Sequence, residues 1–284
     1  MNKTVLLTGA TGFLGSHLAE KLLAKNYKVL AYHRPQSDFW RVKEFKEQIE
    51  WFNLNEGLEL PFRQHHKIHH LIHTATNYGR NNEPNSLLVE TNLLFPLKLF
   101  ELATFFNTNT ILYKYLNSYA LSKKQLCEWL KLFADKTKVI NIKLEHIYGA
   151  KDDNSKFITY IINQCITNMS QIDLTAGEQK RDLIYIDDAI NAYLLLMEKW
   201  DSFSESYHSV ELGTGKSITI KELVETIAQL TQSSTKLNFG ALPYRENEMM
   251  ESVADISELA QLGWRSEIGI LDGLTKMLIK SLVF

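Results

Sequence analysis

Cysteine is scarce in this sequence of 284 residues: only Cys127 and Cys165 occur, far apart and in no CxxC spacing. That scarcity excludes a disulfide framework and a structural zinc site, and it is typical of a reducing cytoplasm. A large charge excess is also missing, since the formal net charge at pH 7 is -2. Without a broad cationic field for nucleic acid or an anionic membrane, the composition predicts a small-molecule partner.

Long hydrophobic runs are missing too. Runs such as AYLLLM at 192–197 are among the longest, well short of the roughly 20 residues that span a bilayer. The amino terminus, MNKTVLLTGATG, leads into a strand and a glycine turn rather than a cleavable signal segment. We therefore expect a cytoplasmic protein without a membrane partner.

Short apolar runs alternate with amphipathic stretches through the first 150 residues, which is the pattern of a parallel sheet covered by helices on both faces. The predicted strands are 4–8, 27–32, 49–53, 69–75, 104–108 and 138–144, and the predicted helices are 13–25, 86–103 and 119–134. From Gly149 onward the loops lengthen, with helical stretches at 155–168 and 187–199 and a strand at 171–175. The prediction is an α/β protein with a doubly wound parallel sheet over residues 1–150 and a smaller α/β domain over 151–284, the chain crossing back within 176–220.

One connection in this scheme is too short. The helix at 86–103 meets the strand at 104–108 without a loop, where about two to six residues are usual. The alternative is a helix that ends a turn earlier, near Leu99, leaving residues 100–103 as the connector.

Glycine is concentrated in TGATGFLG, residues 8–15, between the first strand and the first helix. Gly9, Gly12 and Gly15 permit a tight turn, a close approach of the backbone to a pyrophosphate and close packing of helix on strand. The helix amino terminus adds free N–H groups and a positive dipole. This context predicts a Rossmann-like dinucleotide site, in which Thr11, Phe13 and Leu14 also contact the cofactor.

The end of the second strand bears on which nicotinamide dinucleotide is used. NAD sites usually place an acidic residue there to accept from the ribose hydroxyls, whereas this chain has His33 and Arg34. A guanidinium makes bidentate contacts with a 2′-phosphate, which a carboxylate would repel. The pair predicts NADPH. The alternative is that Arg34 is a solvated loop cation and that Asp38 reaches the ribose.

Tyr119 and Lys123 lie four residues apart in NSYALSKKQL, 117–126, and therefore on one face of a helix. A nearby ammonium, together with the positive nicotinamide of an oxidised cofactor, favours a phenolate and makes proton exchange with a substrate oxygen feasible near neutral pH. Such pairs also occur by chance on exposed helices. Because this one follows the glycine turn in the right order, it predicts an active site.

Five further segments resemble the extended short-chain dehydrogenase/reductase family that acts on nucleotide sugars. They are LIHTAT (71–76), ETNLLFPLKLFELA (90–103), IKLEHIYGA (142–150), QKRDLIYIDDAINAY (179–193) and ELGTGKSITIKEL (211–223). ATNYGR (75–80) and the tyrosine segment are similar to bacterial reductases of CDP-linked 4-keto sugars. The resemblance covers nearly the whole chain, and it implies a homodimer formed through the helices at 86–103 and 119–134.

The resemblance also implies residue roles. A Ser or Thr at the end of the fifth strand holds the substrate oxygen that the tyrosine serves, and in FFNTNT (105–110) Thr108 is the assignment and Thr110 the second choice. The family's dehydratases carry Asp-Glu directly after that residue, whereas Asn109 and Thr110 supply no carboxylate, which disfavours water elimination. Further implied cofactor contacts are Thr74, Ala75, Thr76, Asn92, Leu144 and His146, and implied substrate contacts are Asn77, Tyr78, Arg80, Thr110, His146, Arg181 and Arg245, the last two on the diphosphate unless they are plain surface arginines.

Two other clusters are left out of the chemistry. HHKIHHLIH, 65–73, places its histidines on a connector and a strand, where neighbours point to opposite faces and no carboxylate or cysteine completes a site, so no metal is predicted. Asp187 and Asp188 precede an apolar helical stretch and are predicted to cap that helix and oppose its dipole.

Together, residues and resemblance imply an NADPH-dependent oxidoreductase. Its substrate is expected to be a nucleotide-linked 4-keto-deoxyhexose, with CDP favoured as the nucleotide, in O-antigen or related polysaccharide synthesis. Catalysis is assigned to Tyr119, Lys123 and Thr108. Two alternatives stay open: a 4-epimerase that uses the same Tyr and Lys but retains NAD, and a non-catalytic dinucleotide-binding scaffold.

Overall fold

A computed structural model describes residues 3–79, 82–103, 105–111 and 117–281. The strands are β1 (Thr4–Thr8), β2 (Lys28–His33), β3 (Glu50–Asn53), β4 (His70–His73), β5 (Phe105–Thr110), β6 (Val139–Leu144), β7 (His146–Tyr148), β8 (Gln171–Leu174), β9 (Lys180–Tyr185), β10 (Tyr207–Leu212), β11 (Ser217–Thr219), β12 (Lys236–Phe239) and β13 (Glu251–Ser252). The helices are α1 (Phe13–Ala24), α2 (Leu60–Gln64), α3 (Asn85–Val89), α4 (Phe95–Phe100), α5 (Ser118–Phe133), α6 (Phe157–Ile166), α7 (Ile186–Glu198), α8 (Ile220–Leu230), α9 (Ser257–Gln261) and α10 (Ile270–Ser281), and a π-helical segment, Glu90–Leu94, joins α3 to α4.

The central sheet of the described residues has the strand order β10-β6-β5-β4-β1-β2-β3. β1 to β6 pair in parallel, and β1 is buried along its whole length, as expected for strands covered on both faces. The order reverses between β1 and β4, which is where sheets of this kind bind dinucleotides. The predicted α/β fold with a doubly wound, Rossmann-like sheet is confirmed.

The segment before β5 resolves the short connection. α4 ends at Phe100 and residues 101–103 form a turn, so the shorter-helix alternative is confirmed. The preceding π-helical turn has a cause in the sequence: Pro96 lies at the start of α4 and has no N–H to continue the α-helical hydrogen bonds. β5 also extends two residues beyond its predicted end, which makes Thr110 its last residue.

The chain divides into two compact units. The first contains Met1–Leu144 and Ile190–Val210, and the second contains Glu145–Ala189 and Glu211–Phe284. In the second unit, β9 pairs antiparallel with β11 and parallel with β7 and β13, while β8 pairs in parallel with β12. The predicted domain boundary at residue 150 stays a prediction, because a compact unit is not thereby an independently folding domain.

Helix length and polarity bear on the membrane expectation. Throughout the ranges that the structure describes, no helix combines the length and the apolar character that crossing a bilayer requires.

Candidate active site

The glycine turn between β1 and α1 has the geometry that a bound pyrophosphate needs. Gly9 has a φ of +72°, and a Cβ at Gly15 would lie 2.1 Å from the carbonyl oxygen of Gly9, so neither position accepts a side chain. Gly12 caps α1 without a side-chain hydrogen bond, and the first turn of α1 holds no acidic residue. The helix amino terminus therefore offers N–H groups and a positive dipole to an anion. The predicted residues fit a dinucleotide.

Thr8 fastens the ends of β1 and β4 beside this turn. Its hydroxyl accepts from the backbone N–H groups of Thr74 and Ala75, each at 3.2 Å, and lies 2.8 Å from Nδ1 of His73. Burial, together with the ammonium of Lys123, holds the pKa of His73 well below its ordinary value, so the ring is neutral. Thr8 was not among the predicted site residues, although its place directly before the glycine turn could have indicated it.

The residues after β2 bear on the two predictions for the adenosine ribose. The Arg34 side chain is exposed and has no ion-pair partner within the described part of the chain, and Nδ1 of His33 donates to the Arg34 carbonyl at 3.0 Å. Asp38 accepts from the backbone N–H of Trp40 at 3.0 Å, so its carboxylate caps a local turn. Arg34 is thus available to an anion, while Asp38 already has a structural partner.

Tyr119 lies in the first turn of α5, at the positive end of the helix dipole. The helix begins where it does because Asn117 accepts from the backbone N–H of Ala120 at 2.9 Å, an N-cap that was not predicted. The rings of Tyr119 and Tyr78 are 5.0 Å apart. The structure therefore brings one predicted substrate contact beside the predicted proton donor.

Lys123 is almost fully buried, with 3% of its surface exposed. Its Nζ donates to the carbonyl oxygen of Thr108 at 2.8 Å, which ties α5 to the end of β5. Burial lowers the pKa of Lys123 to about 8, an effect that the neighbouring Cys127 thiol partly opposes. A buried ammonium of this kind marks a functional site more often than a surface lysine does.

Asn92 joins the loop after β4 to the tyrosine helix. It is fully buried in the π-helical segment, where its side chain accepts from the N–H of Asn77 and donates to the carbonyl of Asn77, both at 2.8 Å. It also donates to the hydroxyl of Ser122 at 3.0 Å, and Ser122 donates to the carbonyl of Tyr119 at 2.8 Å. The π-helical turn thus places a buried amide between two parts of the site, a common use of such turns.

The two candidate threonines of β5 have different surroundings. The Thr108 hydroxyl lies 2.7 Å from the hydroxyl of Tyr193, a fully buried residue of α7. Asn109, on the opposite face of β5, donates to the Cys127 thiol of α5. Thr110 ends the strand on the same face as Thr108 by alternation. Thr108 therefore already has a buried structural partner.

In the second unit, both predicted diphosphate arginines contact Glu248, Arg181 through the Glu248 side chain and Arg245 through the backbone. Arg181 forms an ion pair with Glu248 and also donates to the carbonyl of Lys180 at 2.8 Å. The backbone N–H of Glu248 donates to the carbonyl of Arg245 at 3.0 Å, while the Arg245 side chain is exposed. Glu248 links the two arginines, and no sequence motif had indicated it.

The remaining predicted residues are placed as follows. Leu144 is buried at the end of β6, and His146 opens β7 with its Nδ1 2.9 Å from the carboxylate of Glu145. Arg80 lies outside the described residues. Asp187 and Asp188 occupy the first turn of α7 as predicted, but Asp188 accepts from the N–H groups of residues 267 and 268, so it holds a distant loop as well.

The histidines of segment 65–73 lie in different environments. His69 accepts from the N–H of Thr4 at 2.9 Å, and burial lowers the pKa of His70 to about 4. No three His, Cys, Asp or Glu side chains are grouped to hold a metal ion anywhere in the described ranges.

Known proteins resemble this chain over nearly its whole length. The family model described as the NAD dependent epimerase/dehydratase family matches residues 5–113 and 105–213. The chain is 39% identical to a CDP-abequose synthase of Salmonella muenchen and 30% identical to one of Salmonella typhimurium, in each case over 98% of this chain and 98% of the relative. The fold matches that of a UDP-glucose 4-epimerase of Thermotoga maritima, solved with UDP-glucose, with a TM-score of 0.85, 21% identity, and coverage of 98% of this chain and 99% of that one.

The fold and the glycine turn define a dinucleotide-binding α/β protein, and the two synthase relatives place it in an enzyme class that acts on nucleotide sugars. The chain belongs to the NAD dependent epimerase/dehydratase family. The predicted resemblance to short-chain dehydrogenases/reductases of nucleotide sugars is confirmed, and so is the narrower similarity to CDP-abequose synthases.

Proposed function

We propose that this protein is an NADPH-dependent 4-ketoreductase of a nucleotide-linked 4-keto-deoxyhexose, similar in activity to a CDP-abequose synthase. The observation that carries the proposal is the buried ammonium of Lys123 one helical turn from Tyr119, on a helix that Asn92 ties to the loop after β4. The two relatives named CDP-abequose synthase support the substrate class.

The chain's own residues divide the reduction between them. When bound at the glycine turn, NADPH supplies the hydride for sugar C4. Tyr119 protonates the oxygen as the carbonyl becomes an alcohol, so one hydride and one proton are consumed for each ketone. Lys123 stabilises the phenolate that remains and orients the nicotinamide ribose. The phenolate is further favoured by the positive end of the α5 dipole.

We assign the ketone-holding hydroxyl to Thr110, the second choice from the sequence. The assignment rests on position along the strand: Thr108 lies two residues before the end of β5, where its hydroxyl bonds to the buried Tyr193. Thr110 is the last residue of β5, and ligands of such sheets bind beyond the carboxyl ends of the strands.

NADPH is proposed because Arg34 is available while Asp38 caps a turn. Replacing Arg34 by Gln removes a charge-assisted contact with the 2′-phosphate and should lower the NADPH to NADH affinity ratio by about tenfold. Cofactor fluorescence titration measures both dissociation constants. If the ratio is unchanged in the variant, Arg34 does not recognise the 2′-phosphate.

The substrate diphosphate is proposed to bind Arg181 and Arg245, and the sugar to contact Asn77 and Tyr78. Arg181 is already oriented by Glu248, which suits a preformed anion site. The further expectations belong to the same proposal: the protein acts in the cytoplasm, in O-antigen or related polysaccharide synthesis, and it forms a homodimer. Apolar side chains exposed on and beside α3, α4 and α5 support the dimer, namely Leu87, Val89, Leu94, Leu121, Trp129 and Leu132.

The test is oxidation of NADPH with a panel of CDP-, dTDP- and UDP-linked 4-keto sugars, with the configuration at C4 of the product read by NMR. We expect turnover with at least one 4-keto sugar, and CDP-linked substrates to be preferred. No NADPH consumption with any of them would overturn the proposal.

A nucleotide-sugar 4-epimerase is the second candidate, favoured by the structural match to the UDP-glucose 4-epimerase. Purified protein that holds NAD and interconverts C4 epimers without consuming NADPH would establish that activity instead.

A further inference from the structure

The carboxylate of Glu145 is a buried charge that the proposed reaction does not use. Its side chain is fully buried, and no lysine or arginine of the described ranges pairs with it. It accepts from the hydroxyl of Ser252 and from Nδ1 of His146, the latter at 2.9 Å. Because burying a carboxylate without a full cationic partner is costly, stability alone does not explain this residue.

The contact fixes the form of the His146 ring. A carboxylate only accepts hydrogen bonds, so Nδ1 of His146 carries the proton. In the neutral ring Nε2 is then left as an acceptor, the way a buried carboxylate orients a histidine in catalytic dyads. The His146 side chain is 41% exposed, so a ligand can reach the ring.

In the sheet of the second unit, the His146 ring and Arg181, the proposed diphosphate cation, lie at nearby positions along β9. His146 of β7 pairs with Leu183 of β9, and Ser252 of β13 pairs with Arg181 of β9. Arg181 and Leu183 are two residues apart and share one face of the strand. The imidazole and the guanidinium are thus carried by neighbouring positions of one sheet face.

We propose that Glu145 is a positioning residue that holds His146 with Nε2 ready to accept a hydrogen bond from a hydroxyl of the nucleotide-linked sugar. The inference rests on the proposed function, since it assumes that Arg181 binds the diphosphate of that substrate. An acceptor nitrogen suits a carbohydrate hydroxyl and not a phosphate oxygen, which has no proton to donate at neutral pH. The hydroxyl belongs either to the hexose or to the ribose.

The experiment is calorimetric titration at pH 8 with CDP and with CDP-glucose, using wild type, Glu145→Leu, His146→Phe and the double variant. Loss of one neutral hydrogen bond should weaken CDP-glucose binding by about three- to tenfold in each single variant. The double variant should bind no more weakly than His146→Phe, because Glu145 acts only through the ring. Glu145→Gln keeps an acceptor for Nδ1 and should retain most of the affinity.

The two ligands locate the hydroxyl: a loss confined to CDP-glucose places it on the hexose, and an equal loss with CDP places it on the ribose. A loss from Glu145→Leu that persists in full in the His146→Phe background shows a general structural role and overturns the proposal, as does unchanged affinity in both single variants.

If Glu145→Leu does not fold, Ser252→Ala replaces it. This variant should lose less affinity for CDP-glucose, and the loss must vanish in the His146→Phe background. Wild type that binds neither ligand contradicts the proposed substrate class, a result distinct from failure of the positioning role.

Discussion

The two units hold their predicted site residues in different ways. In the first unit the groups are fixed by backbone geometry and by buried hydrogen bonds, as in the glycine turn, the Asn92 contacts and the Lys123 bond to a strand carbonyl. In the second unit Arg181 and His146 are each oriented by a carboxylate. From this difference we predict a division of labour: substitutions in the first unit should change the rate of the chemical step, and substitutions in the second should change substrate affinity.

The largest effect should come from Tyr119→Phe. Only the proton donor is lost, so kcat should fall by about 10²- to 10⁴-fold while NADPH affinity stays near that of wild type. Steady-state kinetics with a 4-keto sugar and NADPH fluorescence titration measure the two quantities. A variant with nearly normal kcat would show that Tyr119 is not the proton donor.

The next effect separates the two threonines of β5. Thr110→Val should lower kcat/KM by about 10²-fold or more because it removes a hydrogen bond to the developing oxyanion. Thr108→Val should leave turnover largely intact and lower the free energy of unfolding by about 1 to 3 kcal/mol, since the buried Tyr193 hydroxyl loses its partner. Each variant is the control for the other. The reverse pattern would return the catalytic assignment to Thr108.

Because of Lys123, the stability of the protein should rise with pH while its turnover falls. Its pKa is about 8 in the folded chain against an ordinary value of 10.5, so between these values the unfolded chain binds more protons and folding becomes more favourable with rising pH. Across this pH range the shift raises the free energy of unfolding by about 3 kcal/mol in total. Turnover should instead fall about tenfold per pH unit above 8 as the ammonium is lost.

Lys123→Met is the matched control for this prediction. Thermal unfolding of the cofactor-free protein at pH 8 and above 10 should show a smaller rise in stability for the variant than for wild type. Equal pH dependence in both proteins would mean that Lys123 titrates near its ordinary value.

The sequence was sufficient to predict the fold, and it indicated most of the residues that make up the first unit's candidate site, whose roles stay predictions. Glycine spacing, strand-helix alternation and the Tyr119–Lys123 spacing are local signals, and local signals survive in a single sequence. β5 ends at Thr110, two residues later than predicted. Its pairing with β6 continues to Thr110 and Leu144, and a pairing partner leaves no signal in the strand's own residues.

The second unit's carboxylates could not be predicted in the same way. Glu248 follows Arg181 by 67 positions, and Ser252 follows Glu145 by 107, so neither contact leaves a spacing that a motif search recognises. Only the pairing of β9 with β7 and β13 brings these residues together. From sequence alone, a glutamate in a loop is interpreted as a solvent-exposed charge, because glutamate is rarely buried without a partner.

The smallest effect should come from Glu248→Gln, and it tests the second half of the comparison. The amide keeps a hydrogen bond to Arg181 but loses the charge that holds the guanidinium, so KM for the nucleotide sugar should rise by about three- to tenfold with kcat and NADPH affinity unchanged. Glu246→Gln, an exposed acid two residues earlier, is the control and should change nothing. A fall in KM would mean that Glu248 competes with the substrate diphosphate for Arg181. A fall in kcat would mean that the second unit also contributes to the chemical step, which would end the division of labour between the units.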